Sequence, residues 1–115
     1  MKIIVCGAGE IGSNIAKQLV YEDNDVTIID KSESSLRMLN KSVDLKSVCG
    51  KTTHPEILEK AGADEADMII AVTESDELNI ISCELANHLL IFQLFLLFYH
   101  LNRMNRRHLE YLLFL

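Results

Sequence analysis

Apolar residues along the first three quarters of the chain follow two patterns. Short, almost continuous apolar runs are typical of parallel strands covered on both faces, and they predict strands at residues 2–6, 26–29, 45–49 and 68–72. Between these runs, apolar residues recur at helical spacing and predict helices at residues 10–21, 33–41 and 55–61, and from about Asp76 onward. Strands that alternate with helices indicate an α/β fold, with a parallel sheet and helices on both faces.

Cap and turn residues support these boundaries. Ser32 is expected to cap the second helix, and Gly62 to end the third in a left-handed conformation. Thr53 and Glu56 have the spacing of a capping box, with Pro55 in the first turn. The apolar residues expected to turn the fourth helix toward the sheet are Leu78, Ile81, Leu85 and Leu89.

The turn between the first strand and the first helix carries the pattern G-x-G-x-x-G at Gly7, Gly9 and Gly12. In this context Gly7 allows the sharp turn, Gly9 lets a pyrophosphate approach the backbone, and Gly12 lets the helix pack closely on the sheet. The amides and the positive dipole end of the helix would then face the phosphates. The pattern predicts a Rossmann-like nucleotide-binding fold; a tight turn without a ligand is the alternative.

Asp30 strengthens the nucleotide interpretation because it ends the second apolar run, 18 residues after Gly12. A carboxylate at this position can accept hydrogen bonds from the hydroxyls of an adenosine ribose. In parallel sheets, ligands bind beyond the carboxyl ends of the strands. The glycine turn, Asp30, Gly50 and Thr73 all map to that edge.

Charge and cysteine content narrow the function classes. The 115 residues carry a net charge of −6, which argues against nucleic acid as a partner, since phosphate backbones are bound by clustered Lys and Arg. Cys6, Cys49 and Cys83 include no C-x-x-C pair, and we interpret them as small buried thiols in a reducing cytosol. The chain enters its first strand at once, so no secretion signal is expected.

Two longer stretches are more specific than the glycine pattern. Residues 61–68 read Ala-Gly-Ala-Asp-Glu-Ala-Asp-Met, and residues 71–79 read Ala-Val-Thr-Glu-Ser-Asp-Glu-Leu-Asn. With the glycine turn, Ile29-Asp30, Gly50 and residues 53–58, they make residues 1–88 resemble the N-terminal, NAD-binding domain (TrkA-N, or RCK) of the TrkA family, which regulates bacterial Trk potassium uptake.

This resemblance implies a set of binding residues. Residues 7–11 would hold the pyrophosphate, Asp30 the adenosine ribose, and Thr73 and Glu74 the far side of the nucleotide. The implied cofactor-binding residues are Gly7, Ala8, Gly9, Glu10, Ile11, Gly12, Asp30, Thr73 and Glu74. Lys31 could approach the same ribose, and Gly50 and Lys51 could border the adenine; for these three, ordinary loop roles are an equal alternative. No catalytic residue and no metal site are implied.

The resemblance also implies a function. The cofactor would be NAD(H), with ATP or ADP as the alternative nucleotide. The protein would be a regulatory subunit, not an enzyme: a homo-oligomer in the cytoplasm, peripheral to the inner face of the membrane, whose partner is a membrane-embedded potassium transporter subunit. Nucleotide binding would bias transporter gating by population shift. A half-domain of an NAD-dependent oxidoreductase and a non-functional truncated remnant are the alternatives.

The composition changes abruptly after residue 88. All four Phe lie in residues 89–115, which contain no Gly, Ala, Val, Ser, Thr, Asp or Lys. We interpret this segment as an apolar and basic helical tail that does not belong to the domain and that could result from a frameshift in the gene. The sheet would then be incomplete at its C-terminal end. Its apolar stretch of about 13 residues is shorter than the roughly 20 that span a bilayer, and a helix lying in the membrane interface is the alternative.

Overall fold

The computed structural model describes residues 1–88, 94–96 and 113–114. In chain order the elements are β1 (Lys2–Cys6), α1 (Glu10–Tyr21), β2 (Asp25–Asp30), α2 (Glu33–Asn40), β3 (Lys46–Cys49), α3 (Pro55–Lys60), a 3-10 helix (Ala63–Glu65), β4 (Met68–Ala71), α4 (Asp76–His88), β5 (Leu94–Leu96) and β6 (Leu113–Phe114). The sheet has the order β3-β2-β1-β4-β5-β6. Strands β1 to β5 pair in parallel, and β6 pairs antiparallel with β5. The predicted alternation and the parallel arrangement of the first four strands are confirmed.

Helices cover both faces of the sheet because successive side chains of the buried strands point to opposite sides. Ile4 and Cys6 of β1 pack with residues of α3, the 3-10 helix and α4. Ile3 and Val5 of the same strand pack with α1 and α2 on the other face. The parallel strands therefore end at one common edge, where the loops to the helices begin.

Two of the three predicted helix ends are confirmed. The Ser32 hydroxyl accepts a hydrogen bond from the Ser35 amide (3.3 Å) and caps α2, and Gly62 adopts a left-handed conformation (φ 88°) after α3. The capping box of Thr53 is wrong, because the N-cap of α3 is His54 and no side chain caps the helix there. Proline is favoured at the first helical position, and Pro55 in that position moves the cap one residue beyond Thr53.

The buried face of α4 differs from the predicted one. Leu78 and Ile81 are 38% and 45% exposed, whereas Leu85 packs against the core as expected. The most deeply buried side chains of the helix are those of Asn79, Ser82, Cys83 and Ala86. These side chains are smaller than leucine, so α4 can lie closer to the sheet than a leucine face would allow. Leu89 lies outside the described residues.

The expectation of a helical tail is wrong for the part of residues 89–115 that the structure describes. Leu94–Leu96 forms β5, which pairs in parallel with β4, and Leu113–Phe114 forms β6 beside it. The parallel sheet thus continues past β4, which otherwise would expose an unpaired edge. Within the described ranges, no helix has both the length and the hydropathy that a membrane crossing requires.

The three cysteines are free thiols in two different environments. Cys6 and Cys83 are buried, and loss of solvation raises the pKa of both thiols. The expectation of a buried Cys49 is wrong: this residue is exposed, and its thiol donates to the Lys31 carbonyl (3.6 Å). The difference arises because β3 is an edge strand in which Val48 alone is buried.

We therefore expect a thiol reagent such as a disulfide dye to label one cysteine per folded chain rapidly, and three after unfolding in guanidinium. Cys49→Ser should remove the rapid phase and leave the slow one, since the remaining thiols are buried. Rapid labelling of two or more thiols in the folded parent would contradict the placement of Cys6 or Cys83 in the core.

Candidate functional site

A cavity of about 670 Å³ lies at the edge where β1 to β4 end. Its walls come from the turn after β1, the end of β2, the loop after β3 and the loop between β4 and α4. A volume of this size is within the range of small-molecule sites, and the position follows the rule for open parallel sheets. The predicted site residues that line it are Gly7, Gly9, Glu10, Ile11, Asp30, Thr73 and Glu74.

The three glycines of the turn have different surroundings. Gly7 has φ 111°, which is a conformation that favours glycine, and a Cβ there would lie 3.0 Å from the Val72 carbonyl oxygen. Gly12 does not line the cavity. A Cβ at Gly12 would overlap the Gly7 carbonyl, so glycine at this position lets α1 approach the turn. A Cβ at Gly9 would meet no atom within 4 Å, and Gly9 lines the cavity. Open space at Gly9 is what a closely approaching pyrophosphate requires.

The N-terminus of α1 opens at the same place. The Ser13 amide donates to the Gly9 carbonyl (2.9 Å), so the helical hydrogen-bond ladder begins at Gly9. Amides that precede Ser13 lie outside this ladder, and the helix dipole adds positive potential at the same end. Glu10 and Ile11, both predicted site residues, lie in this first turn and line the cavity.

Asp30 joins the glycine turn to the second helix. Its Oδ2 accepts a hydrogen bond from the Ala8 amide (2.7 Å), and its Oδ1 accepts one from the Ser32 amide (2.7 Å). Ala8 is itself buried and takes part in the site through this amide. Because each carboxylate oxygen has two acceptor positions, Asp30 keeps capacity for donors from a ligand.

The cavity is also bordered by residues for which an ordinary loop role was an equal alternative, and by residues that the sequence did not predict. Lys31, Gly50 and Lys51 line it, and both lysines are exposed. The missed lining residues are Ile29, Ser35, Thr52, Thr53, Val72, Ser75 and Leu78. The signal that could have found them is position, because each lies at the end of a predicted strand or within six residues after it.

Two further candidates for chemistry near the site are the imidazole of His54 and a metal site. His54 occupies the exposed N-cap position of α3, where its side chain makes no capping hydrogen bond, and it does not line the cavity. In the portion of the chain that the structure describes, no three His, Cys, Asp or Glu side chains come together as a metal site.

Comparison with known proteins identifies the domain. A family model described as the TrkA-N domain matches residues 3–91. The chain belongs to the TrkA-N family. This result confirms the resemblance carried by the glycine turn and by residues 61–79.

Two relatives of this TrkA-N chain bear the name Trk system potassium uptake protein TrkA. The protein from Vibrio alginolyticus is 48% identical over 86 residues, which are 75% of this chain and 19% of the relative. The protein from Halomonas elongata is 44% identical over 89 residues, which are 77% of this chain and 20% of the relative. The chain thus spans about a fifth of the length of these relatives.

Solved structures share the fold of the TrkA-N chain. The AMP-bound Kef CTD of Shewanella denitrificans has a TM-score of 0.65 at 23% identity, over 76% of this chain and 52% of that one. Bordetella bronchiseptica WbmG in complex with NAD has a TM-score of 0.67 at 18% identity, over 82% of this chain and 36% of that one. A GsuK channel has a TM-score of 0.66 at 22% identity, over 76% of this chain and 16% of that one. These matches establish a Rossmann-like fold that channels and enzymes share.

The different surroundings of Gly12 and Gly9 predict different effects of alanine substitution on the stability of the fold. We expect Gly12→Ala to lower the free energy of unfolding by about 1–3 kcal/mol, because the added carbon overlaps main-chain atoms of Gly7. Gly9→Ala is the matched control and should change it by less than about 1 kcal/mol, since the added carbon enters open space. Urea unfolding of the parent and both variants measures the difference. Equal stability of the two variants would contradict the close packing at Gly12.

Proposed function

We propose that the TrkA-N domain binds NAD(H) in the cavity at the carboxyl edge of the sheet. The observation that carries the proposal is the meeting of three features in one cavity: the open backbone at Gly9, the N-terminus of α1, and the carboxylate of Asp30. Each feature suits a different part of a dinucleotide, and their order along the edge follows from the strand order.

The residues would divide the ligand between them. The backbone of residues 7–11 would hold the pyrophosphate, where the amides and the helix dipole favour negative charge. Asp30 would accept hydrogen bonds from the adenosine ribose, with Lys31 beside it. Thr73 and Glu74, in the loop after β4, would border the far side of the nucleotide. NAD(H) supplies no chemistry in this proposal beyond its binding free energy.

ATP or ADP is the alternative ligand for the same cavity. All these nucleotides share an adenosine ribose and a phosphate group, which are the parts that Asp30 and the glycine turn would contact. Related folds occur with AMP and with NAD bound. Titration of the full chain with NADH, ATP and ADP separates the candidates by affinity, and NAD(H) is expected to bind most tightly.

In its cellular context, we propose that the domain belongs to a regulatory subunit of a Trk-type potassium uptake system. The names of the TrkA relatives support this role. The intact protein would assemble as a homo-oligomer at the inner face of the membrane and contact a membrane-embedded transporter subunit. A nucleotide shifts the gating equilibrium only by its difference in affinity for the two states, so occupancy of the cavity would set the bias.

The oxidoreductase alternative has weaker support. The fold is shared with an NAD-bound enzyme. The ionisable side chains among the described residues that line the cavity are three carboxylates and two lysines, and none of the lining residues is His, Tyr or Cys. The names of the TrkA relatives refer to potassium uptake. Binding and regulation therefore remain the better proposal.

Gly9→Val tests the phosphate position. Its branched side chain would project into the cavity where the pyrophosphate must approach the backbone, so we expect NADH affinity to fall by at least about a hundredfold, roughly 2.7 kcal/mol. Tyr21→Val, a neutral change at the far, exposed end of α1, is the control and should bind like the parent. NADH fluorescence titration measures both. A Gly9→Val protein that is folded and binds NADH as tightly as the parent would place the phosphates elsewhere.

Asp30 should set the choice between cofactors. The 2′-phosphate of NADP(H) would bring negative charge to this carboxylate and replace a hydroxyl donor, so we expect NADH to bind at least about tenfold more tightly than NADPH, roughly 1.4 kcal/mol. Lys31 is the neighbouring cation, and Lys31→Gln should widen the gap. Calorimetry at fixed salt gives both affinities. Comparable binding of the two cofactors by the parent would overturn the role of Asp30.

A further inference from the structure

Two polar side chains of α4 are buried on the same face of the helix. Asn79 and Ser82 are both 0% exposed, and a spacing of three residues puts them one above the other. Burial of polar groups costs free energy unless they form hydrogen bonds, so their partners show what these residues do. The partners lie in two different loops, and both loops line the cavity.

Asn79 holds the loop after β4. Its side-chain Oδ1 accepts hydrogen bonds from the Thr73 amide (2.9 Å) and hydroxyl (2.6 Å), and its Nδ2 donates to the Thr73 carbonyl (3.2 Å). One amide side chain thus pairs with both main-chain groups of Thr73, as a neighbouring strand would. Ser75 continues the arrangement, because its amide donates to the Thr73 hydroxyl (3.2 Å).

Ser82 holds the loop after β3. Its hydroxyl donates to the Thr52 hydroxyl (2.7 Å), and Thr52 is itself buried at 7% exposure. Thr52 lies between Lys51 and Thr53, and all three residues line the cavity. The two loops belong to strands on opposite sides of β1 and β2 in the sheet, β4 on one side and β3 on the other. Both loops are therefore hydrogen-bonded to side chains of the same helix, α4.

We propose that Asn79 and Ser82 are positioning residues, through which α4 holds both loops of the nucleotide cavity in their binding conformation. The proposal rests on the proposed function, because it deepens the account of the same site. Neither side chain lines the cavity, so their effect on affinity is indirect. Any ligand that needs both loops in place gains affinity from these bonds, since it does not have to order the loops itself.

The variants are Asn79→Leu and Ser82→Ala in the full chain, with Glu84→Leu on the exposed side of α4 as the control. Hydrogen exchange of the free proteins should accelerate at residues 73–75 in Asn79→Leu and at residues 50–53 in Ser82→Ala. The dissociation constant for NADH should rise about tenfold in the first, which loses three hydrogen bonds, and about threefold in the second, which loses one. These changes correspond to about 1.4 and about 0.7 kcal/mol of binding free energy. Glu84→Leu should match the parent in both measurements.

Asn79→Asp covers the case in which Asn79→Leu does not fold. An ionised Asp keeps the acceptor for the Thr73 amide but has no donor for the Thr73 carbonyl, whereas a protonated Asp regains one. Its loss of NADH affinity, relative to the parent at the same pH, should therefore be smaller at pH 5 than at pH 8. A role in stability alone would lower the melting temperature without this pH-dependent change in affinity.

The outcomes separate the two proposals. Folded variants whose loop exchange and NADH affinity equal those of the parent would overturn the positioning role while leaving the nucleotide site intact. A parent that binds none of NADH, ATP or ADP would overturn the proposed function. In that case the exchange data on the free proteins still decide whether Asn79 and Ser82 hold the two loops, because these measurements need no ligand.

Discussion

The close approach of α1 to the turn after β1 is the contact on which the rest of the site depends. Gly12 lies against the carbonyl of Gly7, and any side chain at position 12 would overlap main-chain atoms. A main-chain carbonyl within a tight turn cannot move aside as a flexible side chain can, so the contact requires glycine. It directs the start of α1 at the edge of the sheet, where Gly9 leaves its backbone open to the cavity.

Asp30 and Asn79 extend this arrangement to the loops on either side. Asp30 accepts amides from Ala8 and Ser32, so it joins the glycine turn to the start of α2. Hydrogen bonds to an ionised acceptor are stronger than neutral ones, which makes this carboxylate a structural element as well as a candidate ribose ligand. Asn79, in α4, similarly forms hydrogen bonds with the amide and carbonyl of Thr73 and so joins the loop after β4 to this helix. The cavity is thus shaped by side chains that bond to main-chain groups.

The sequence predicted most of the elements because their signals are local. Apolar runs and helical spacing located the first four strands and four helices, and Ser32 and Gly62 marked helix ends by their own conformational preferences. The glycine turn and Asp30 were placed at one edge because parallel strands must end together. One error arose where competing local signals overlapped: the preference of Pro55 for the first helical position excluded Thr53 as the cap.

By itself, then, the sequence determined the order of the first four strands and four helices, the glycine turn and the edge of the sheet at which the cavity lies, since each depends on the period or backbone freedom of neighbouring residues. Only the tertiary structure decided which side of α4 is buried. Hydropathy favoured Leu78 and Ile81, yet the helix buries Asn79 and Ser82. The reason is that a buried polar group is stable when its partner is in place, and the partner of Ser82 is Thr52, 30 residues earlier in the chain. A pairing over that separation exists only once the sheet has brought the two loops together.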